Sequence, residues 1–236
     1  RLPDAIQVNL LDRHAEGERY VIALAEAVQA SGIADRIGMS QSALVIQTKM
    51  LDLYFALRAS HAVAFQPIVD LASRQTFEYE CLFRPAALAT GPVTISAMVD
   101  AAIATGRAVE FDALNARIIL ERLGGIQASR SSGSGDRLRF ALNFIPASLL
   151  DPRFEARAFA EQIAAVGLSP RQITVECTEQ QAVRDGDVGA LTRQAKALRR
   201  LGFGFAIDDA GAGYASFTMI AALRPSIIKI DREIVR

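Results

Sequence analysis

The chain has 236 residues, of which 51% are hydrophobic and 22% charged, so it is long enough and apolar enough to bury a substantial core. Its formal net charge of zero argues against a nucleic-acid polymer as partner, because such binding calls for a basic surface. No apolar run approaches the ~20 residues of a membrane span. Cys81 and Cys177 lie in apolar runs without metal-ligand spacing, which favours reduced core thiols in the cytoplasm.

Residues 1–58 are predicted to form a helical N-terminal extension. Ala15–Ala30 is alanine-rich and amphipathic and ends before Gly32, and a second helix is predicted from a Ser40 cap through Leu57. The region carries no catalytic pattern, so a regulatory or dimerising arm and a simple packing extension both stay open. The chain begins at Arg1 without a methionine, which suggests a fragment of a longer protein.

Residues 59–236 alternate short β-rich runs with long helical ones. The predicted strands are Val63–Leu71, Thr76–Arg84, Arg139–Ile145, Ile173–Glu179, Gly202–Asp208 and Ile227–Ile234. The predicted helices are Thr94–Leu123, Glu155–Val166 and Val188–Leu201, and Ser129–Asp136 is predicted to be a loop. This alternation predicts parallel βα units, and therefore an α/β barrel or a doubly wound sheet.

Several of these strands carry a polar residue inside an apolar run. The residues are Glu80, Asn143, Glu176, Asp208 with Asp209, and Lys229. Because side chains alternate along a strand, Asn143, Glu176, Asp208 and Lys229 each share a face with small or polar neighbours, opposite a bulky apolar face. A barrel would bring this polar face to its C-terminal rim, where barrel enzymes keep their active sites. A structural salt-bridge network is the alternative interpretation.

The residue types in this set suit a hard divalent cation. Carboxylate and amide oxygens without histidine or thiolate favour Mg²⁺ or Mn²⁺ over zinc. Two such ions can clamp the attacking and leaving oxygens of a phosphodiester. His14 and His61 lie outside the pattern, which argues against a histidine-ligated metal.

The ordered motifs resemble the EAL domain family, whose members hydrolyse cyclic di-GMP to linear pGpG. The resemblance covers most of Ala62–Val235, and it rests on FQPIVDL, ECLFR, Asn143, ECTE, the paired aspartates and KID. It implies a (β/α)₈ barrel of EAL type, in which the first strand is antiparallel, together with a two-metal site. It also implies cyclic di-GMP as the partner, and it leaves open a homodimer and an upstream sensory domain.

The resemblance also implies a role for each matching residue. By analogy the metal ligands are Glu80, Asn143, Glu176, Asp208 and Asp209. The catalytic residues are Lys229, which orients or deprotonates the water, and Glu179, which holds the loop after the aspartates. The substrate contacts are Gln66, Leu82 and Arg84. Simpler interpretations remain, because Arg84 could neutralise Glu80, while Gln66 and Glu179 could cap local backbone.

The sequence departs from the family pattern at several points. Cys81 replaces the signature alanine, Ala210 follows the paired aspartates in place of an aromatic residue, and Pro85 follows Arg84. The family's last two strands, which supply a glutamate and a glutamine to the site, are not found before Arg236, so we expect the natural protein to continue. Three hypotheses follow: a cyclic di-GMP phosphodiesterase, a catalytically inactive module that binds cyclic di-GMP or a protein, and an unrelated metal-dependent barrel enzyme.

Overall fold

The computed structural model describes residues 39–58, 61–84, 94–129, 138–178, 187–210, 216–231 and 234. The helix predicted over Ala15–Ala30 lies outside these residues. The chain divides into two compact units, the first with residues 1–62 and 84–107, the second with residues 63–83 and 108–236. The boundary predicted after residue 58 stays a prediction.

The first unit contains two helices, α1 (Met39–Ala56) and α2 (Ile95–Ala104), which pack against each other. The hydroxyl of Thr94 accepts a hydrogen bond from the backbone of Ala97 and caps α2. His61 is buried and stacks on the ring of Tyr54, whose carbonyl lies 3.0 Å from its Nε2 atom. His61 is therefore a packing residue of the first unit.

The second unit contains the sheet and the remaining helices. The strands are β1 (Ala62–Val69), β2 (Thr76–Arg84), β3 (Phe140–Phe144), β4 (Ile173–Thr178), β5 (Gly204–Ala210) and β6 (Ile227–Ile230). The helices are α3 (Ala108–Ser129), α4 (Pro146–Leu150), α5 (Ala156–Ala165), α6 (Val188–Leu201) and α7 (Ser216–Leu223), with a 3₁₀ turn at Pro170–Gln172. Within the described residues no helix is long and apolar enough to cross a membrane.

The six strands form one curled sheet in the order β1-β2-β3-β4-β5-β6, and β2 to β6 pair in parallel. A tight turn joins β1 to β2, where the Asp70 amide donates to the Gln75 carbonyl over 2.9 Å. So short a connection can link only antiparallel strands. The predicted α/β architecture with an antiparallel first strand is therefore confirmed.

The core lies between the helices and the apolar face of the strands. Phe140 and Leu142 on β3, Val175 on β4, and Phe205 and Ile207 on β5 are all buried there. The predicted helix over Thr94–Leu123 is wrong in one respect, because it is interrupted between α2 and α3. Gly106 adopts a φ of 68°, a left-handed conformation that ends a helix and that glycine adopts without steric cost.

Candidate active site

Three carboxylates from three different strands meet on the inner face of the curled sheet. Glu80 comes from β2, Glu176 from β4 and Asp208 from β5, and one oxygen of each lies within 4.8 Å of the others. The parallel register explains the convergence, because Glu176 pairs with Ala206 and Thr178 pairs with Asp208. Alternation then sends both acids to the same side of the sheet.

Lys229 of β6 places its ammonium group among these carboxylates. Its Nζ atom donates to Glu80 Oε2 at 2.9 Å, to Glu176 Oε2 at 2.8 Å and to Asp208 Oδ2 at 2.9 Å. Burial alone would lower the pKa of Lys229, but the attraction of Glu176 and the hydrogen bonds to all three acids outweigh it and raise that pKa. Lys229 is therefore held in its charged form.

Glu176 is the most deeply buried acid of the site, with no exposed surface. Burial raises its pKa to about 7, against the lowering effect of Lys229 and with the help of Glu80 and Asp208. Its Oε1 atom is buried without a hydrogen-bond partner among the described residues. A buried carboxylate oxygen is normally paired, so this atom is suited to a ligand.

Asn143 completes the arrangement from β3. Its side-chain nitrogen donates to Glu80 Oε1 over 3.1 Å, and its backbone pairs in register with Glu176. The amide oxygen and the three carboxylates make an all-oxygen donor set, which is the chemistry that Mg²⁺ and Mn²⁺ prefer. The residues present therefore fit such a metal.

The paired aspartates lie at an irregularity of β5. The register with β6 shifts between Ile207 and Ala210, and Asp209 has a φ of 54°, which is rare for a residue with a side chain. The Asp209 amide donates to Asp208 Oδ1 over 2.9 Å. Burial, followed by the neighbouring charge of Asp208, raises the pKa of Asp209. Of the two aspartates, the three-carboxylate group contains only Asp208.

The remaining predicted site residues have separate positions. Gln66 is exposed on β1, Leu82 is half-buried on β2, and Arg84 is exposed at the last position of β2. Leu82 and Arg84 follow Glu80 at alternate positions of one strand, as the predicted face requires. Glu179 lies outside the described residues.

The sequence interpretation missed a second polar layer beside the three carboxylates. Glu78 is buried on β2, and its Oε1 atom accepts a 2.5 Å hydrogen bond from Thr174 of β4. Burial raises the pKa of Glu78. Gly204 makes room for this pair, because a Cβ atom there would lie 2.6 Å from Thr174 Oγ1. Glu78 precedes Glu80 by two residues, so strand alternation could have identified it.

Comparison with known proteins identifies this arrangement. The family model of the EAL domain matches residues 52–236, and so it includes every strand that carries a site residue. The chain belongs to the EAL domain family. Glu80, Asn143, Glu176, Asp208 and Lys229 all lie within the EAL match, and so does the short motif at Glu80.

The curated relatives of this chain include an antirepressor and a phosphodiesterase. The blue light- and temperature-regulated antirepressor BluF of Escherichia coli is 28% identical over 73% of this chain and 39% of its own length. The cyclic di-GMP phosphodiesterase PdeF of E. coli is 33% identical over 42% of this chain and 13% of its own. The chain therefore spans well under half of these relatives.

A solved EAL structure supports the fold. BlrP1 of Klebsiella pneumoniae, in complex with calcium and cyclic di-GMP, is 28% identical with a TM-score of 0.60. The match covers 75% of this chain and 41% of BlrP1. BlrP1 is also known in a complex with manganese and cyclic di-GMP, with a TM-score of 0.59 to this chain.

Proposed function

We propose that this chain hydrolyses cyclic di-GMP to linear pGpG with Mg²⁺ or Mn²⁺ as cofactor. The observation that carries the proposal is the convergence of Glu80, Glu176 and Asp208 from three strands around the single ammonium of Lys229. A structural ion pair needs one acid for one base. Three acids around one lysine leave an excess of negative charge, which a divalent cation would balance.

The residues that would hold the metals are Glu80, Asn143, Glu176 and Asp208, with Asp209 serving a second ion. When bound, such ions polarise the phosphoryl group and lower the pKa of a water molecule. The proposed reaction adds this water across one phosphodiester. Its oxygen joins phosphorus, the bond from phosphorus to the ribose 3′ oxygen breaks, and that oxygen takes a proton.

We assign Lys229 the orientation of the attacking water and the stabilisation of developing negative charge. The surrounding acids raise its pKa, and a charged ammonium donates hydrogen bonds and cannot accept a proton. The family resemblance left open whether Lys229 orients or deprotonates the water, and this assignment keeps only the first role. Arg84 is assigned a phosphate of the substrate, with Gln66 and Leu82 as further contacts and Glu179 as the residue that holds the loop after Asp209.

The test is chromatographic analysis of products after incubation with cyclic di-GMP and Mn²⁺ or Mg²⁺. The parent chain is expected to form pGpG, and Ca²⁺ is expected to inhibit, because a larger and more loosely coordinated ion holds the reacting oxygens less well. Glu176→Gln should abolish turnover, while Glu161→Gln, the same change at an exposed position of α5, should not. Unchanged substrate at high protein and Mn²⁺ concentrations would reject the enzyme.

A second candidate is a module that binds cyclic di-GMP or a protein partner without catalysis. The similarity to the antirepressor BluF favours it, as does Ala210 directly after the aspartates. The same assay separates the two, provided that binding of cyclic di-GMP is also measured by calorimetry. Binding without product formation in either metal would favour the second candidate.

The setting that we propose for this activity is the bacterial cytoplasm. The free, buried thiols of Cys81 and Cys177 suit a reducing compartment. An upstream sensory domain would suit a chain that spans only 39% of a light- and temperature-regulated relative. A homodimer is the proposed assembly, and light scattering of the purified protein would test it.

A further inference from the structure

The residue at the start of the short helix α4 donates its backbone N–H to a side chain of the distant helix α3. Ile145 is the N-cap of α4, and its side chain makes no capping hydrogen bond. Its backbone N–H donates over 2.8 Å to Asp112 Oδ2 of α3, which precedes it by 33 residues. The hydroxyl of Ser148, in the first turn of α4, hydrogen-bonds the same carboxyl group.

This arrangement is an extended form of a capping box. In the usual box, the side chain at the third helical position bonds the N-cap N–H directly. Here Ser148 occupies that third position, and Asp112 bridges it to the Ile145 N–H. One carboxyl group thereby fixes both the start of α4 and the residue that follows β3.

The carboxyl group of Asp112 is buried, which disfavours its charged form. Asp112 is only 4% exposed, and its burial raises its pKa to about 8, although the hydrogen bonds from Ile145 and Ser148 lower it. Buried polar groups are normally hydrogen-bonded, and the hydrogen bonds of Asp112 from Ile145 and Ser148 both lie at the start of α4.

The bond to Asp112 holds the chain next to a predicted metal ligand. Asn143 lies one residue before the last residue of β3, and Ile145 lies two residues after Asn143. Strand pairing holds β3 up to Phe144, which pairs with Cys177. The next backbone N–H, that of Ile145, is bonded to Asp112 and not to a neighbouring strand. Asn143 in turn donates to Glu80 Oε1 over 3.1 Å.

We infer that Asp112 is a positioning residue of the active site, which orients the Asn143 amide toward Glu80 by holding the Ile145 N–H. Removing a residue that orients a metal ligand without touching the metal commonly changes metal affinity by ten- to a hundredfold. This inference rests on the proposed function, because it takes Asn143 and Glu80 as ligands of the metal. Asp112 itself contacts neither the substrate nor the metal in this assignment.

The experiment compares Asp112→Ala and Asp112→Asn with a control on the same helix. Asn keeps an oxygen for the Ile145 N–H and gains an amide that can donate to Ser148, so it should restore what Ala loses. Leu123→Ala is the control, because Leu123 is buried about three turns further along α3, away from the site. Mn²⁺ affinity is measured by calorimetry at a temperature where circular dichroism shows each variant folded.

Asp112→Ala is expected to weaken Mn²⁺ binding about tenfold, Asp112→Asn to stay within about twofold of the parent, and Leu123→Ala to leave the affinity unchanged while lowering the melting temperature. Equal losses in Asp112→Ala and Leu123→Ala would reduce Asp112 to a stabilising residue and overturn the inference. Ser148→Ala, which removes only one of the two bonds, should shift the affinity in the same direction by less. If Asp112→Ala does not fold, the Mn²⁺ affinity of Ser148→Ala tests the inference in its place.

A readout without metal separates this inference from the proposed function. In the metal-free protein, the side-chain amide resonances of Asn143 should move in Asp112→Ala and stay in place in Asp112→Asn and Leu123→Ala. If the parent binds no Mn²⁺, the proposed function fails, and the resonances still decide whether Asp112 orients Asn143. Unmoved resonances in Asp112→Ala would overturn the inference.

Discussion

Replacing Lys229 with methionine removes the only positive charge that the described residues place among Glu80, Glu176 and Asp208. Breaking a fully buried ion pair costs roughly 3–5 kcal/mol. Lys229 and Asp208 are 22% and 18% exposed, so solvent screens part of the loss, whereas Glu176 is 1% exposed and its charge is screened least. We therefore expect the free energy of unfolding to fall by about 2–4 kcal/mol in the metal-free protein, and the melting temperature by about 6–12 °C.

Thermal unfolding in the presence of a chelator measures this loss, and calorimetry measures the second consequence. Without the ammonium, no positive charge of the described residues competes with Mn²⁺ for the three acids, so the Lys229→Met protein should bind Mn²⁺ more tightly, and saturating Mn²⁺ should restore most of the melting temperature. Lys196→Met removes the same charge from an exposed position of α6 and should change neither quantity. An unchanged melting temperature in chelator, or weaker Mn²⁺ binding by Lys229→Met, would refute the reasoning.

Three further predictions concern Glu176 and the second polar layer. Mn²⁺ affinity should rise about tenfold between pH 6 and pH 8, because Glu176, with a pKa of about 7, must lose its proton to act as a ligand; calorimetry across this range checks it, and a flat profile would contradict it. In the metal-free protein, the same raised pKa makes the free energy of unfolding fall as pH rises from 4.5 to about 7, since the folded state keeps the proton that the unfolded state loses. Gly204→Ala should destabilise the protein by about 1–3 kcal/mol in urea unfolding, because its Cβ would lie 2.6 Å from Thr174 Oγ1. Gly125→Ala on α3, where a Cβ meets nothing within 4 Å, should be neutral or stabilising; equal effects at both glycines would count against the overlap with Thr174.

Strand alternation explains why much of the site could be predicted from the sequence. A polar residue inside an apolar run identifies both a strand and its face, and five such runs on neighbouring parallel strands must point to one place. Glu80, Glu176, Asp208 and Lys229 do meet there. The prediction needed no knowledge of loops or helix packing.

Features that depend on contacts between distant residues escaped prediction. Asp112 lies inside a helix, and nothing in the local sequence indicates that its partner is the Ile145 N–H. The interruption at Gly106 was missed because apolar residues continue on both sides of it, and only the left-handed backbone ends α2 there. The register shift of β5 beside Asp209 also escaped prediction, because it appears only where β6 pairs with β5.

The contact between Lys229 and Glu80 also has a consequence for the order of folding. The two residues are separated by 149 positions, so their meeting requires the closure of a very long loop and is expected late in folding. During synthesis β2 with its acid emerges long before β6 supplies the counter-charge.

Until β6 docks, Glu80, Glu176 and Asp208 can remain solvated only if the inner face of the sheet stays open to water. The docking of β6 onto the curled sheet is therefore coupled to the burial of Lys229 among these acids. Contacts that form after the folding transition state affect the unfolding rate more than the folding rate. Lys229 is accordingly expected to slow unfolding. Its loss would shorten the lifetime of the folded state more than it would delay folding.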